Sequence, residues 1–271
     1  MKFALFILAS WTENDAAHQH RIYEEALEQV QYAEELGFES VWIAEHHSSR
    51  YGIFPSLMPI LSHIAAQTQT IRLGAGVSVL PFHNPIRLAE EAAMVDVLSN
   101  GRLNFGVGRG SADYEYGNFK IDFDSRDTRF QEALDIILGL WTTEDFTYHG
   151  QYYQVDGLTI APKPFQKPHP PVLLGGHAKN VFRRTVEYGD GWMPNRTSPE
   201  AIAQGRATLD ELCEAAGRDR LPITVYGTPA DADLIKQFGD AGADRVVLRL
   251  DTADEETALK DLEEKAQAVL A

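Results

Sequence analysis

The chain has 271 residues, 44% of them hydrophobic, enough for a sizeable core. Asp and Glu number 40 against 24 Lys and Arg, a formal charge of −16 that repels phosphate backbones and anionic membranes and argues against nucleic acid as a partner. One cysteine, Cys213, excludes an internal disulfide, and no apolar run approaches the roughly 18 residues of a membrane span.

Strand and helix patterns alternate along the chain. Phe3–Leu8 reads as a buried first strand. It does not suit a signal peptide, because one lysine is its whole basic region and Trp11 and Glu13 stand where small cleavage-site residues belong; this implies a cytoplasmic protein. Ile22, Ala26, Val30 and Ala33 mark a helix stopped by Gly37. Ser40–Ala44 is a second strand, ending in Glu45-His46-His47. Leu57–Thr68 is helical, and Ile71–Leu80 is a third strand holding Gly74-Ala75-Gly76. Asn84 caps the next helix, with Pro85 at its first position. Asn100-Gly101 ends that helix, since glycine accepts the left-handed conformation of a helix end. Leu103, Phe105 and Val107 alternate with Asn104 and Gly106, the period of a strand that runs into Gly108-Arg109-Gly110.

Residues Gly110–Arg126 read as a long loop, and Phe130, Leu134, Ile137 and Trp141 as the fourth helix. Phe146–Tyr153 reads as a hairpin, followed by a stiff, proline-rich run to Pro171. Val172–Leu174 ends in Gly175-Gly176. A helix carries Val181, Phe182 and Val186, and Gly191–Met193 is a short strand. Ser198-Pro199 opens a helix, Ile223–Tyr226 is a strand, Thr228-Pro229 starts another helix, and Arg245–Leu250 precedes a terminal one.

Eight strands alternating with eight helices predict an α/β (β/α)8 barrel, one domain over residues 1–271. A hairpin and proline-rich insertion lies between the fourth helix and the fifth strand. Barrel sites lie at the carboxyl ends of the strands, so the insertion falls on the opposite face. Gly108-Arg109-Gly110 reads either as a turn with a surface arginine or as a backbone cradle with one cation for an anionic or planar ligand. Gly175-Gly176-His177-Ala178 reads either as a tight turn or as a phosphate cup at a helix start. Glu45-His46-His47 lacks the alternate spacing of barrel metal ligands. It can serve structure, or it can set one carboxylate against a ligand and one imidazole at a reacting centre. No metal is expected. Trp11, Tyr51, Phe54, Phe82 and Tyr114 suggest either an apolar pocket mouth or ordinary packing.

Three stretches together resemble the bacterial luciferase-like flavin-dependent monooxygenases. They are Glu45-His46-His47, then Leu80-Pro81 with Asn84–Glu91, and Asp96–Arg102 ahead of Gly106–Gly110. Pro162–Pro171 is similar to the same family's run into its fifth strand. The resemblance covers most of residues 1–200. It implies a barrel that binds reduced FMN supplied by a separate flavin reductase, or a deazaflavin in one branch, and that uses dioxygen on a small-molecule substrate. It implies that Glu45 and His46 border the flavin and carry the catalysis. Gly76-Val77 would hold a cis peptide against the ring, Gly108, Arg109 and Gly110 would contact ring and phosphate, and Gly175, Gly176, His177 and Ala178 would cup the phosphate. It leaves a homodimer open.

Two features depart from the family pattern. Members place a mobile lid after the seventh strand, where this chain has only Tyr226-Gly227-Thr228-Pro229. Gly175-Gly176 with Tyr188–Trp192 is closer to the deazaflavin branch, and Glu45-His46-His47 to the FMN branch. The readings are therefore an FMN-dependent monooxygenase, a deazaflavin-dependent hydride-transfer enzyme, and a flavin-binding protein without turnover.

Overall fold

The computed structural model describes residues 1–11, 16–178, 180–250 and 255–270. Eight strands form one all-parallel sheet: β1 (Lys2–Ile7), β2 (Ser40–Ile43), β3 (Arg72–Val79), β4 (Leu103–Gly108), β7 (Val172–Gly175), β8 (Gly191–Met193), β9 (Thr224–Thr228) and β10 (Arg245–Leu250). Their order is β8-β7-β4-β3-β2-β1-β10-β9. Parallel bridges Trp192–Ile223 and Asn195–Tyr226 join β8 to β9 and close the circle. The helices α1 (Ala16–Leu36), α2 (Leu57–Gln67), α3 (Pro85–Leu98), α5 (Arg126–Thr142), α6 (Val181–Tyr188), α7 (Pro199–Ala216), α8 (Ala232–Asp240) and α9 (Glu255–Leu270) follow the strands in turn. The fold is a (β/α)8 barrel. Alternation sorts each strand: Leu5 and Ile7 of β1 join the core under the helices, while Ala4 and Phe6 point into the barrel beside Trp42, Met193 and Val247.

Asn84 caps α3 as expected, its side chain accepting from the amides of Ile86 and Arg87, with Pro85 at the first position. Cys213 is buried in α7. Three local readings need correction. The stretch 110–126 is not all loop: α4 (Asp113–Phe119) and a 3-10 turn (Phe123–Ser125) lie within it. α4 buries only Glu115 and Tyr116, too few positions to leave a helical period in the sequence. The hairpin is β5 (Phe146–His149) with β6 (Gln154–Leu158), so its second strand begins after Tyr153; the buried Glu132 carboxylate accepts the amides of Gln151, Tyr152 and Tyr153 and holds them as the turn. α8 begins at Ala232, capped by Asp231, rather than at Thr228-Pro229. No helix among the described residues is long and apolar enough to cross a membrane.

The lower rim is tied by a buried cation whose hydrogen bonds all go to neutral oxygens. Arg102 uses all five guanidinium N–H groups on Ser99 O, Thr68 Oγ1, Ile71 O, Ala65 O and Thr68 O, at 2.8–3.1 Å. Two of these acceptors are carbonyls at the carboxyl end of α2, where the helix dipole favours a cation. Arg102→Met strands several buried carbonyls at once. It should lower stability by about 2–4 kcal/mol, read from urea unfolding, with the unfolding slope unchanged.

Candidate functional site

A cavity of about 580 Å³ opens at the carboxyl ends of β3, β4, β7, β8 and β9, within the size range of cofactor pockets. Gly76, Val77, Gly108, Arg109, Gly110, Gly175, Gly176, His177 and Ala178 all line it. Glu45 and His46 do not, nor do Trp11, Tyr51, Phe54, Phe82 and Tyr114. The peptide between Gly76 and Val77 is cis.

Most of these glycines make room for protein. A Cβ on Gly108 would stand 2.6 Å from Val77 Cγ2, and one on Gly175 2.9 Å from Val77 Cγ1, so Val77 sits across both. Gly76 makes room for Tyr226, and Gly110 for Val79. Gly176 differs: its φ is +100°, and a Cβ there would meet nothing within 4 Å. The missing side chain leaves free space beside the start of α6, a cradle that suits a phosphate.

Sequence reasoning missed most of the charge. Arg126, Arg184 and Arg196 join Arg109 in the lining, and among the described residues no carboxylate lines the cavity. Asp127 stands behind it and bridges two of them, at 2.6 Å to Arg109 Nη1 and 3.2 Å to Arg184 Nη1. Arg126 lies 3.8 Å above the Phe123 ring and donates to Phe123 O at 2.7 Å. His177 donates from Nε2 to Asn195 O at 2.6 Å. Arg196 follows the Met193-Pro194 strand tip by two residues, so following each strand end a few positions further would have found it. The apolar part of the wall is Val77, Leu174, Met193, Phe130 and the Tyr226 ring. Four lining arginines and an apolar remainder fit a ligand with an anionic tail and a planar body.

A family model described as luciferase-like monooxygenase matches residues 1–234. The chain belongs to this family. The flavin-dependent trigonelline monooxygenase, oxygenase component, of Acinetobacter baylyi is 35% identical over 191 residues, 70% of this chain and 52% of that one, so the chain spans about half the length of that relative. Monooxygenase RslO1 from Streptomyces bottropensis superimposes with a TM-score of 0.89 at 23% identity, covering 100% of this chain and 99% of that one. An F420-dependent secondary alcohol dehydrogenase, solved with an F420–acetone adduct, gives 0.80 at 18% identity, covering 99% and 98%. The two superpositions carry the fold.

In this luciferase-like chain the Glu45 segment forms a buried network beside the cavity wall. The Glu45 carboxylate accepts from His47 Nε2 at 2.8 Å, His83 Nε2 at 2.9 Å and the Val79 amide at 3.2 Å. The buried Glu115 accepts the His47 amide at 2.9 Å. Among the described residues no group of His, Cys, Asp and Glu is placed to hold a metal ion, and the two imidazoles meet Glu45 through hydrogen bonds. His46 faces elsewhere, its ring 5.2 Å from that of Tyr51. Burial outweighs the charges of Glu115 and Glu45 and pushes the His46 imidazole below its ordinary value.

Burial disfavours the Glu45 charge, but the hydrogen bonds and charges of His47 and His83 outweigh it and hold the carboxyl below its ordinary 4.5. Burial likewise opposes a charged His83, and the Glu45 hydrogen bond outweighs it and raises His83 above 6.5. A lowered acid stabilises the fold above its unfolded value, and a raised base does so below its own. The pair therefore contributes fully between pH 4.5 and 6.5 and loses strength on either side. His83→Gln should remove the loss on the alkaline side. Thermal melts from pH 6 to 9 should fall more steeply for wild type than for the variant, and parallel curves would contradict the pairing.

Proposed function

We propose that the chain is a flavin-dependent monooxygenase that takes reduced FMN from a separate reductase and, with dioxygen, oxidises a small organic substrate. The supporting observation is the cavity: free space at Gly176 against the start of α6, four arginines with no lining carboxylate among the described residues, and an apolar wall around Val77. Bound reduced flavin supplies two electrons to dioxygen. The chain's part is to hold the phosphate end with Gly176, His177, Ala178 and Arg109, to place the ring against Gly76-Val77, and to keep water from it with Leu174, Met193 and Tyr226. Asp127 fixes the Arg109 guanidinium through a 2.6 Å contact.

A deazaflavin in the same cavity is the second reading, favoured by the F420-dependent enzyme that overlays nearly the whole chain. Titrating the protein with FMN, riboflavin and a deazaflavin, by quenching of flavin fluorescence, separates the two. FMN should bind most tightly. Arg109→Ala should weaken FMN by about 1.5–3 kcal/mol, the range for hydrogen bonds to a charged group, and riboflavin by less. Equal losses would move Arg109 to the ring, and tighter deazaflavin binding would overturn the FMN assignment.

For His46, with Glu45 beside it, we propose proton transfer at the reacting centre. With saturating reduced FMN, His46→Ala should keep flavin affinity but slow coupled turnover, read as oxygen consumption that does not appear as hydrogen peroxide, by roughly 10²–10⁴, the span of one acid–base group. His47→Ala removes one of the groups bonded to Glu45 and should act on thermal stability instead. Full turnover in His46→Ala would end this role. Reoxidation that yields only hydrogen peroxide in the wild type, whatever the substrate offered, would mark a flavin carrier.

A further inference from the structure

The donors that line the cavity fall into two groups. On the β4 and β7 side each arginine already has a protein partner: Arg109 and Arg184 share Asp127, and Arg126 rests on the Phe123 ring and donates to Phe123 O. On the β8 side the donors stand free. Asn195 and Arg196, consecutive residues after the β8 tip, both line the cavity. Among the described residues neither the Asn195 side-chain amide nor the Arg196 guanidinium has a hydrogen-bond or ion-pair partner. Tyr226 of β9, bridged to Asn195, lines the same side, and its buried hydroxyl is unpartnered as well.

The turn that carries these donors is held at both ends. Asn195 O accepts from His177 Nε2 at 2.6 Å, Asn195 pairs with Tyr226 in a parallel bridge, and Ser198 caps α7 by accepting the Ala201 amide. Arg196 lies between these anchors in left-handed backbone, with φ of 46°. That conformation is costly for a residue with a Cβ and persists where its surroundings impose it. The side chain is exposed, in a chain with 40 acids for 24 Lys and Arg, so acids are not what it lacks. A guanidinium offers five N–H donors in a planar fork that matches an oxyanion. The cradle at Gly176 lies on the other side of the His177–Asn195 bond and has Arg109 and Arg184 of its own. One phosphate held there leaves the Arg196 fork and the Asn195 amide unused.

We propose that Asn195 and Arg196 form a second oxyanion subsite, distinct from the cradle at Gly176, and that it holds a carboxylate of the substrate. The apolar body of the substrate lies on Met193 and the Tyr226 ring, the lining residues beside the turn. The substrate class is thus an organic carboxylate with an apolar body. This assignment rests on the flavin reading above, in which the flavin phosphate fills the cradle. Arg196 positions the substrate and takes no part in moving protons or electrons.

The probe is benzoate, a carboxylate on a planar apolar body, with benzyl alcohol as its neutral counterpart. Binding is read from the melting temperature of the full chain over a concentration series, with and without FMN. Benzoate should raise the melting temperature of the wild type, and benzyl alcohol should raise it less. Arg196→Gly should weaken benzoate about tenfold, the scale of one charge-assisted hydrogen bond. Arg196→Lys keeps the charge without the fork and should fall between. FMN affinity should hold in both variants. Glycine accepts the left-handed backbone, so ligand-free Arg196→Gly should melt at or above the wild-type temperature, whereas a structural role for the side chain would lower it. Equal benzoate binding by wild type and Arg196→Gly, or no benzoate binding by the wild type, overturns the subsite. A loss of FMN affinity in Arg196→Gly as large as that in Arg109→Ala would move Arg196 to the phosphate and overturn it too. Failure of the wild type to bind FMN would sink the flavin reading, while the benzoate shifts still decide the subsite.

Discussion

An eight-stranded barrel must fill its own interior, and this requirement sets most of what lies around the cavity. Trp42 fills the space over Gly74, where a Cβ would come within 2.2 Å of the indole. Met193 lies over Gly106, and Tyr226 reaches from β9 to Gly76 of β3, on the far side of the barrel. Phe6 packs against Tyr226 at 4.6 Å, and Trp42 meets it edge-on at 6.5 Å. Large side chains from some strands stand over bare backbone from others, which is how a small barrel fills its interior. The floor of the cavity is the top of this filling. Its shape follows from packing before any ligand is considered.

The charge follows a different rule. A chain with a formal charge of −16 repels anions at long range, so an anionic ligand must be held by donors placed close to it. Four arginines converge from separate places: the end of β4, the starts of α5 and α6, and the turn after β8. Unrelieved, they would repel one another. Asp127 lies between Arg109 and Arg184, and Phe123 carries Arg126 on its ring face. Each of these contacts also fixes a long flexible side chain, which lowers the ordering cost when a ligand arrives.

Much of this architecture is legible in the sequence. Strand alternation, the Asn84-Pro85 cap and the glycines at helix ends give the barrel. The glycines of β3 and β4 announce a close approach, but the sequence does not say to what: at Gly74, Gly76, Gly108 and Gly175 the approaching group is a protein side chain, and Gly176 alone among the site glycines faces open space. The Glu45-His46-His47 geometry escapes strand logic because β2 ends at Ile43, so alternation no longer governs residues 45–47. His47 turns back to Glu45, and His46 turns to Tyr51. The arginines of the cavity escape because helices and turns bring them in, several residues past the strand tips where a barrel reading looks.

The cover of the cavity also lies where the family pattern does not put it. Between β9, ending at Thr228, and α8, starting at Ala232, only residues 229–231 remain, too few to fold over a ligand. The connection after β4 is much longer and contains both α4 and the 3-10 turn at Phe123–Ser125. It contributes Ser111, Phe123 and Arg126 to the lining. Tyr116 anchors it by donating to Arg109 O, and its ring packs against Phe82 at 4.7 Å and Phe123 at 5.1 Å. Phe82 in turn stacks on Phe119 at 4.8 Å, at the end of α4. An anchored wall of aromatic rings therefore stands beside the β4 side of the cavity, and the connection after β9 is left as a simple turn. The side of the cavity built up by packing is the β4 side.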